Sequence, residues 1–459
     1  MKHLDIKIVR ENKDYTGKEV TVCGWVRTAR DSKNMAFFEL NDGTSLSHIQ
    51  VVIDKAVLTV DDEALKLGAS VKVVGTAVEG RNGANEINAT EVTLLGKSPA
   101  DYPLQKKRHS LEFLRTMPHL RVRTNIFNAV LRVRSVMADS IHTYFQKNNY
   151  VYINSPLLTG SDCEGAGETF TVTTIGYSDK YQNSEEYYAD DFFGKHASLS
   201  VSGQLEGEVA AMAMGKIYTF GPSFRAENSN TPRHVAEFWH VEPEVAFAEL
   251  PDIIEIAEDM IKYVVKDVLE KCSEEINFFN ERIPENNKGL IDKLNNLINN
   301  DFAVLDYTDA VELLQKSGKK FQYPVYWGAD LQTEHERYIT EEVFNKPVFI
   351  TNYPKDIKSF YMKQNPDGKT VAATDLLVPG VGEIIGCSER EADYDKLLQA
   401  MKDRNMNIEE YTDYIDLRKY GSVPHSGFGL GFERILMYVT GMTNIRDVIL
   451  YPRTVGSIR

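Results

Sequence analysis

The apolar residues of this 459-residue chain repeat every second position up to about residue 98 and every three or four positions soon after it, so the chain has to build two kinds of layer. Val20, Val22 and Val26 alternate with Thr21, Cys23 and Trp25, and similar alternation at 34–41, 46–54, 69–79 and 86–95 gives five strands. Between the third and fourth lies 56–67, of helical character and closed by Gly68, a residue suited to the left-handed position after a helix end. Farther on, Ile126, Val130, Val133, Met137, Ile141 and Tyr144 fall on one face of a long helix that stops before 150–156. Two alternating segments between 216 and 247 flank the polar loop 227–234 and predict a long antiparallel hairpin. A helix is expected over 252–271, and the lysine- and asparagine-rich stretch 272–345, weakly periodic, reads as an insertion. Strands are expected at 347–364, 371–378 and 383–388, followed by a glycine-rich turn into a last helix carrying Phe432, Ile435, Leu436 and Val439.

Five strands with a helix between the third and fourth is the order of an oligonucleotide-binding (OB-fold) Greek-key barrel, an order that other small barrels share. Clustered strands with flanking helices in the remainder predict an α+β domain around a mainly antiparallel sheet. The expected organisation is a barrel over 1–98, a basic hinge over 99–120 that begins with Pro99 and Pro103, and a larger domain over 121–459. With 42% hydrophobic and 26% charged residues, the composition excludes collagen-like and disordered chains. No apolar run suits a membrane span, and the first residues lack the apolar core of a secretory signal. Cys23, Cys163, Cys272 and Cys387 are scattered, which points to free thiols in a reducing, cytoplasmic setting. A net charge of −15 argues against indiscriminate coating of nucleic acid. Between Lys106 and Arg134, however, basic residues stand against the single acid Glu112, a pattern that serves either as a solvated face or as a seat for a polyanion.

Neither Gly-x-x-x-x-Gly-Lys-Ser/Thr nor Gly-x-Gly-x-x-Gly opening a helix is present, so a nucleotide has to be held another way. The cysteines and histidines form no zinc pattern. Three arginine-bearing segments remain. Phe224-Arg225-Ala226-Glu227-Asn228 ends the first hairpin strand, with Arg233 and His234 across the loop. An arginine at a strand end holds a phosphate oxygen in fixed geometry, or forms a structural ion pair with the nearby glutamate. Gly382-Glu383-Ile384-Ile385-Gly386-Cys387-Ser388-Glu389-Arg390 adds a carboxylate suited to magnesium and an arginine. Gly427-Phe428-Gly429-Leu430-Gly431-Phe432-Glu433-Arg434 is a phosphate-binding helix start or a structural turn.

Phe224-Arg225-Ala226-Glu227 leading to Glu237-Phe238, together with Gly429-Leu430-Gly431-Phe432-Glu433-Arg434, resembles motifs two and three of the class II aminoacyl-tRNA synthetases. The long helix ending in 150–156, with Pro156, resembles motif one, the dimer-forming element of that family. Barrel first and catalytic domain second is the order of the aspartate, asparagine and lysine subgroup. The resemblance covers nearly the whole chain. It implies a ligase that uses ATP and Mg2+ to join an amino acid to the 3′ end of a tRNA, releasing AMP and pyrophosphate. Within the subgroup, Ser202-Gly203-Gln204-Leu205-Glu206 and the stretches 226–231 and 441–448 resemble the asparagine-charging branch. Aspartate-charging relatives carry a lysine where this chain has Gly207, and a neutral amide needs no second cation. The implied partners are L-asparagine, tRNA(Asn) and a second copy of the chain in a homodimer.

The same resemblance implies the site residues. Arg225 holds the α-phosphate and Arg434 the γ-phosphate end, with Glu383 completing the catalytic set; Phe238 stacks on adenine, and His234 and Gly431 belong to the ATP site. Asp375 and Glu383 are the magnesium carboxylates. Glu164 pairs with the substrate ammonium, Ser202 and Gln204 line the same pocket, and Arg390 donates to the side-chain carbonyl. Glu227 accepts from the substrate amide or from the adenine amino group. In the barrel, Phe37 stacks on an anticodon base, Gln50 reads uracil and Arg30 lies nearby; Phe37 is a core residue in the alternative, because Phe38 beside it faces the other way. Pro232, Cys387 and Glu389 depart from the family's usual residues, and Glu389 adds a negative charge next to Arg390. The competing readings are an aspartate-charging member, a non-catalytic paralogue, which the presence of Arg225, Glu383 and Arg434 disfavours, and an enzyme making free asparagine, which needs neither barrel nor hinge.

Overall fold

The computed structural model describes residues 2–161, 163, 168–176, 183–282 and 289–458. The chain divides into two compact units, Met1–Ala129 and Val130–Arg459. In the first, strands β1 (Glu19–Asp31), β2 (Met35–Asn41), β3 (Ile49–Asp54), β4 (Ser70–Glu79) and β5 (Asn85–Gly96) close into a barrel in the order β1-β2-β3-β5-β4, with β3 and β5 parallel. Strand alternation turns Val20, Val22, Phe38, Val51, Val71 and Ile87 inward to fill it. The segment 56–67 is not an α-helix. Only Asp62–Leu65 coils, as a 3-10 turn capped by the Asp61 carboxylate, since Val57, Thr59 and Val60 are β-branched and Asp61 bonds its own neighbouring backbone instead. Gly68 does take the left-handed conformation, at φ +82°. A helix the sequence pattern did not show, Ile6–Glu11, buries Ile6 and Val9 in the barrel core; six residues are too few to display a helical repeat.

The expected basic seat is not one surface. Lys106, Lys107 and Arg108 are exposed, but Arg121 is fully buried with its guanidinium 4.2 Å from the Phe127 ring centroid. Arg123 lies 5.8 Å from the centre of Trp25. In the second unit, Arg132 and Arg134 are committed to Glu275 at 3.9 Å and Glu433 at 2.7 Å. Arg115 is half-buried, 3.9 Å from Glu112, so Lys106, Lys107 and Arg108 are the exposed cations of the segment.

The second unit contains β6 (Val151–Tyr152), β7 (Leu158–Thr159), β8 (Ser198–Leu199), β9 (Lys216–Phe224), β10 (Glu237–Ala246), β11 (Ala303–Asp306), β12 (Val348–Thr351), β13 (Ala373–Val378), β14 (Gly382–Glu389) and β15 (His425–Gly431). Eight of them form a sheet in the order β11-β12-β13-β14-β15-β10-β9-β6, antiparallel except for the outermost pairs β11/β12 and β9/β6. The helix Asn125–Lys147 buries Val130, Val133, Met137, Ile141 and Tyr144, as their spacing predicts, and leaves Ile126 in its first turn half-buried. Stretch 272–345 owes its weak periodicity to short elements, and it is built into the sheet through β11, with Tyr307, Val311, Leu314 and Ile339 packed under the adjoining strands. The strand expected over 347–364 ends at Thr351, because Asn352 takes φ +58° and Pro354 follows. The glycine-rich run 427–431 is not a turn. It is β15, in the middle of the sheet. All four cysteines are free, and among the described residues no helix is long and apolar enough to cross a membrane.

Candidate active site

Strand alternation puts Phe238, His240, Glu242 and Glu244 of β10 on one face, where all four line a cleft of about 930 Å³ in the second unit. Next to them on β15, Gly427 pairs with Glu244 and Gly431 with His240. A Cβ on Gly427 would come under 3.0 Å from the Glu244 carboxylate, so glycine on β15 provides the space that the β10 side chains occupy. Local sequence reads such a run as a turn, whereas its cause is a close approach across the sheet.

The expected ATP residues share this cleft. Arg225 follows β9, donates its backbone N–H to the Ala236 carbonyl at 3.0 Å, and sets its guanidinium 5.4 Å from the Phe238 ring centroid. Phe238 stands edge-on to His240 at 4.7 Å. His234 contacts the Thr231 hydroxyl and, at 3.3 Å, that of Ser229; burial, with Arg434 beside it, lowers its pKa and favours the neutral ring. Arg434, in the first turn of the helix Phe432–Thr440, donates to the Glu383 carbonyl at 2.9 Å and to its carboxylate at 3.3 Å.

Asp375 of β13 and Glu383 of β14 converge beside Gly386, on which a Cβ would lie 3.4 Å from Glu383 Oε1 and 3.8 Å from Asp375 Oδ1. Burial raises the pKa of Asp375; the Lys358 ammonium, 2.6 Å away, offsets part of that, and Glu383 adds repulsion. Burial also acts on Glu383, but Arg434 and Lys358 outweigh it and hold the carboxyl below its ordinary range. Two hard carboxylates crowded together in this way fit a divalent cation that takes its remaining ligands from phosphate and water. Among the described residues no cluster of three metal-ligating side chains occurs.

Of the residues expected for asparagine, Ser202, Gln204, Glu227 and Arg390 line the same cleft. Arg390 is buried; its Nε donates to Glu244 Oε2 at 3.2 Å, its Nη2 to Glu244 Oε1, and its Nη1 to the Ser388 hydroxyl at 2.8 Å. Glu242 accepts from the Ser202 hydroxyl, from the Gly203 N–H at 2.9 Å and from the Thr219 hydroxyl at 2.9 Å. Burial works against its charge, yet His240 and these donors prevail and push its pKa down to about 2. Gln204 opens the helix Gln204–Met214 and lines the cleft. Gly207 does not line it: it is buried on that helix, and a Cβ there would stand 3.4 Å from Glu244 Cγ and from Ile217. Glu227 sits exposed on the loop at the rim. Glu164 lies outside the described residues. Glu389 does not burden Arg390, because it pairs with Lys363 at 2.6 Å and accepts from the Leu250 N–H. Cys387 lines the cleft as a thiol whose pKa burial pushes up.

Sequence reasoning missed Glu242, Glu244 and Lys358. The two glutamates were within reach, since the period-two face that contains Phe238 continues through 240, 242 and 244. Lys358 lies in an irregular stretch with no repeat to place it. In the barrel, Phe38 is 1% exposed and fills the core, which leaves Phe37 on the outer face. The Cα register aligns Arg30, Phe37 and Val52 in one row and Thr28, Glu39 and Gln50 in the next, so Arg30, Phe37 and Gln50 occupy one outer patch. Gln50 Nε2 donates to Glu86 at 3.0 Å.

Residues 110–455 match the family of class II tRNA synthetases (D, K and N), and residues 20–95 match OB-fold nucleic acid binding domains. The chain is 55% identical over 463 residues to the asparagine–tRNA ligase of Clostridium botulinum, covering 99% of each, and 55% identical over 456 residues to that of Acetivibrio thermocellus, covering 98% of each. It is also similar to the asparaginyl-tRNA synthetase of Pyrococcus horikoshii solved with asparaginyl-adenylate, with a TM-score of 0.87, 33% identity, and coverage of 100% of this chain and 99% of that one. The chain thus belongs to the class II tRNA synthetases of the D, K and N group, in the branch of the asparagine–tRNA ligases.

Proposed function

We propose that the chain activates L-asparagine with ATP to asparaginyl-adenylate and transfers it to the 3′ end of tRNA(Asn), releasing AMP and pyrophosphate. The observation that carries this reading is that Arg225, Arg434 and the Asp375–Glu383 pair share one cleft with the buried Arg390–Glu244 pair. Attack of an amino-acid carboxylate on the α-phosphorus brings two anions together, and the site has to neutralise the growing charge. In this reading Arg225 holds the α-phosphate, Arg434 the γ-phosphate end, and Phe238 offers its face to adenine while His234 and Gly431 shape the same subsite. Asp375 and Glu383 would hold Mg2+, which supplies charge neutralisation at the phosphates.

Arg390 donates to the carbonyl of the substrate side chain, Glu164 meets the ammonium, and Ser202 reaches the amino acid with Glu242 behind it. An amide also needs an acceptor. Glu242 and Glu244 are the buried carboxylates beside Ser202 and Arg390, whereas Glu227 is on the exposed rim; this favours Glu244, the partner of Arg390, as the acceptor and leaves Glu227 to the adenine amino group. The barrel, 1–98, reads the anticodon through Arg30, Phe37 and Gln50, the segment 99–120 contributes the exposed patch at Lys106, Lys107 and Arg108, and 121–459 carries catalysis. A homodimer is supported by the motif-one helix and by β6, an edge strand that exposes Val151 and Tyr152; a monomeric mass in solution at micromolar concentration would contradict it. Free thiols suit the cytoplasm.

The test is amino-acid-dependent pyrophosphate–ATP exchange with each of the twenty amino acids, followed by charging of total tRNA with the winner. Exchange with asparagine well above aspartate is the expected result. Aspartate winning overturns the specificity, and no exchange at all points to a non-catalytic paralogue.

A further inference from the structure

Glu208 has no solvent exposure and forms no part of the cleft wall, yet five side chains converge on it. Its Oε1 accepts from Gln204 Nε2 at 2.9 Å and from the Tyr414 hydroxyl at 3.0 Å. Its Oε2 accepts from Arg418 Nη2 at 2.7 Å and meets His425 Nε2 at 2.9 Å, while Arg390 Nε stands 3.8 Å from Oε1. Burial opposes the charge on Glu208, but Arg418, His425 and Arg390 together outweigh it and keep the carboxyl below its ordinary range. A carboxylate in that state only accepts hydrogen bonds, so Gln204 has to turn its NH2 group to Glu208. The carbonyl oxygen is then the end of the amide left for the cleft that Gln204 lines.

We infer that Glu208 is a positioning residue for the amino-acid substrate: it fixes Gln204 with its oxygen toward a substrate N–H and braces Arg390 as the opposing donor. The inference rests on the asparagine reading proposed above. A glutamine amide without such a partner exchanges its two ends at little cost, and half of its orientations would set a donor against a donor. A single ionised acceptor behind it removes that ambiguity in favour of the oxygen, which neither an amide nor an apolar side chain in its place could do.

The experiment compares wild type, Glu208→Gln and the exchange variant Gln204→Glu/Glu208→Gln in pyrophosphate–ATP exchange, measuring KM for asparagine and for ATP separately. In Glu208→Gln the Arg418 guanidinium, which can only donate, keeps the introduced carbonyl on its side, so the introduced NH2 faces Gln204 and turns the Gln204 oxygen away from the cleft; KM for asparagine is expected to rise about tenfold with KM for ATP within twofold, the tenfold change corresponding to about 1.4 kcal/mol. In the exchange variant the carboxylate that replaces Gln204 accepts from the amide that replaces Glu208 and still shows the cleft an oxygen, with the net charge kept, so KM for asparagine should return to within about threefold of wild type. The inference is overturned if Glu208→Gln leaves KM for asparagine unchanged, if it raises both KM values alike, or if the exchange variant folds without recovering asparagine affinity. Should Glu208→Gln fail to fold, Gln204→Glu takes its place, since a second carboxylate cannot donate to Glu208: KM for asparagine is expected to rise about tenfold there and to recover in the exchange variant, and an unchanged KM in Gln204→Glu overturns the inference. Wild type separates the two levels: absent asparagine-dependent exchange there refutes the function itself, whereas exchange in wild type with an unaltered Glu208→Gln refutes only this inference.

Discussion

Gly427→Ala tests whether the glycines of β15 are there for the cleft or for the backbone. The added methyl would come under 3.0 Å from the Glu244 carboxylate, and β10 and β14 on either side of β15 hold the backbone in place, so relief has to come from Glu244 turning away from Arg390. Overpacking of this kind costs about 1–3 kcal/mol. If Glu244 is torn from its buried partner the loss approaches about 3–5 kcal/mol, because Arg390 is left without its bidentate counter-charge. Gly429, two residues along on the same face, is the internal control: a Cβ there meets nothing within 4 Å. Gly429→Ala should leave stability unchanged or raise it by about 0.4–1 kcal/mol through a less flexible unfolded chain. Urea denaturation of both variants gives the stabilities, and exchange kinetics should show a raised KM for asparagine in Gly427→Ala. Equal stabilities, within about 0.5 kcal/mol of each other, would refute the close-approach argument.

Glu242 titrates near 2 in the fold, against about 4.3 when unfolded. It therefore adds stability that is complete above about pH 4.3 and is lost as the pH falls toward about 2, worth about 3 kcal/mol at about 1.36 kcal/mol per unit. The advantage of wild type over Glu242→Gln in urea denaturation should accordingly shrink from about pH 5 to about pH 3, and a constant difference would contradict the assignment. Gln50→Ala should weaken charging of tRNA(Asn) while leaving adenylate formation intact; equal losses in both assays sink the barrel's role as anticodon reader. Arg434→Met removes the counter-charge of Glu383 and, in the proposed reading, a phosphate ligand together, and exchange should fall about a hundredfold or more. Chelating Mg2+ should weaken equilibrium binding of ATP, measured by calorimetry, and undiminished binding would exclude Asp375 and Glu383 as the cation's seat.

What the sequence made legible follows from how far each element extends its own repeat. The five barrel strands, the hairpin and the helix Asn125–Lys147 each run long enough to show a period, and each appears where that period puts it. The helix Ile6–Glu11 and strand β11 are too short to announce themselves, and 353–362 has no regular backbone beyond a single short turn. The candidate site was readable wherever an arginine or carboxylate stood in a distinctive string, as with Arg225, Glu383, Arg390 and Arg434. It was not readable where the partner comes from a distant element: Lys358 reaches Asp375, and Arg418 and His425 reach Glu208, across separations that no local pattern spans. Gly207 shows the same limit. Its absent side chain bears on Glu244, which is adjacent only in the folded sheet and helix.

Those distant partners also explain how so many charges share a buried cleft. Arg434 pairs with Glu383, Lys358 with Asp375 and Arg390 with Glu244, and behind the cleft wall Arg418 pairs with Glu208, so each of these ions has a counter-ion before any substrate arrives, as burial of charge requires. In the proposed reading, an incoming triphosphate would meet the two carboxylates as well as the arginines. Asp375 and Glu383 would then hold a divalent cation, whose charge would offset theirs and leave Arg434 available to phosphate oxygen. The Arg390–Glu244 pair has no such cation to exchange for and is the better suited to a neutral ligand: an amide can hydrogen-bond to both members without changing the charge of the floor, whereas a carboxylate would bring a third charge, a negative one, to a pair already balanced.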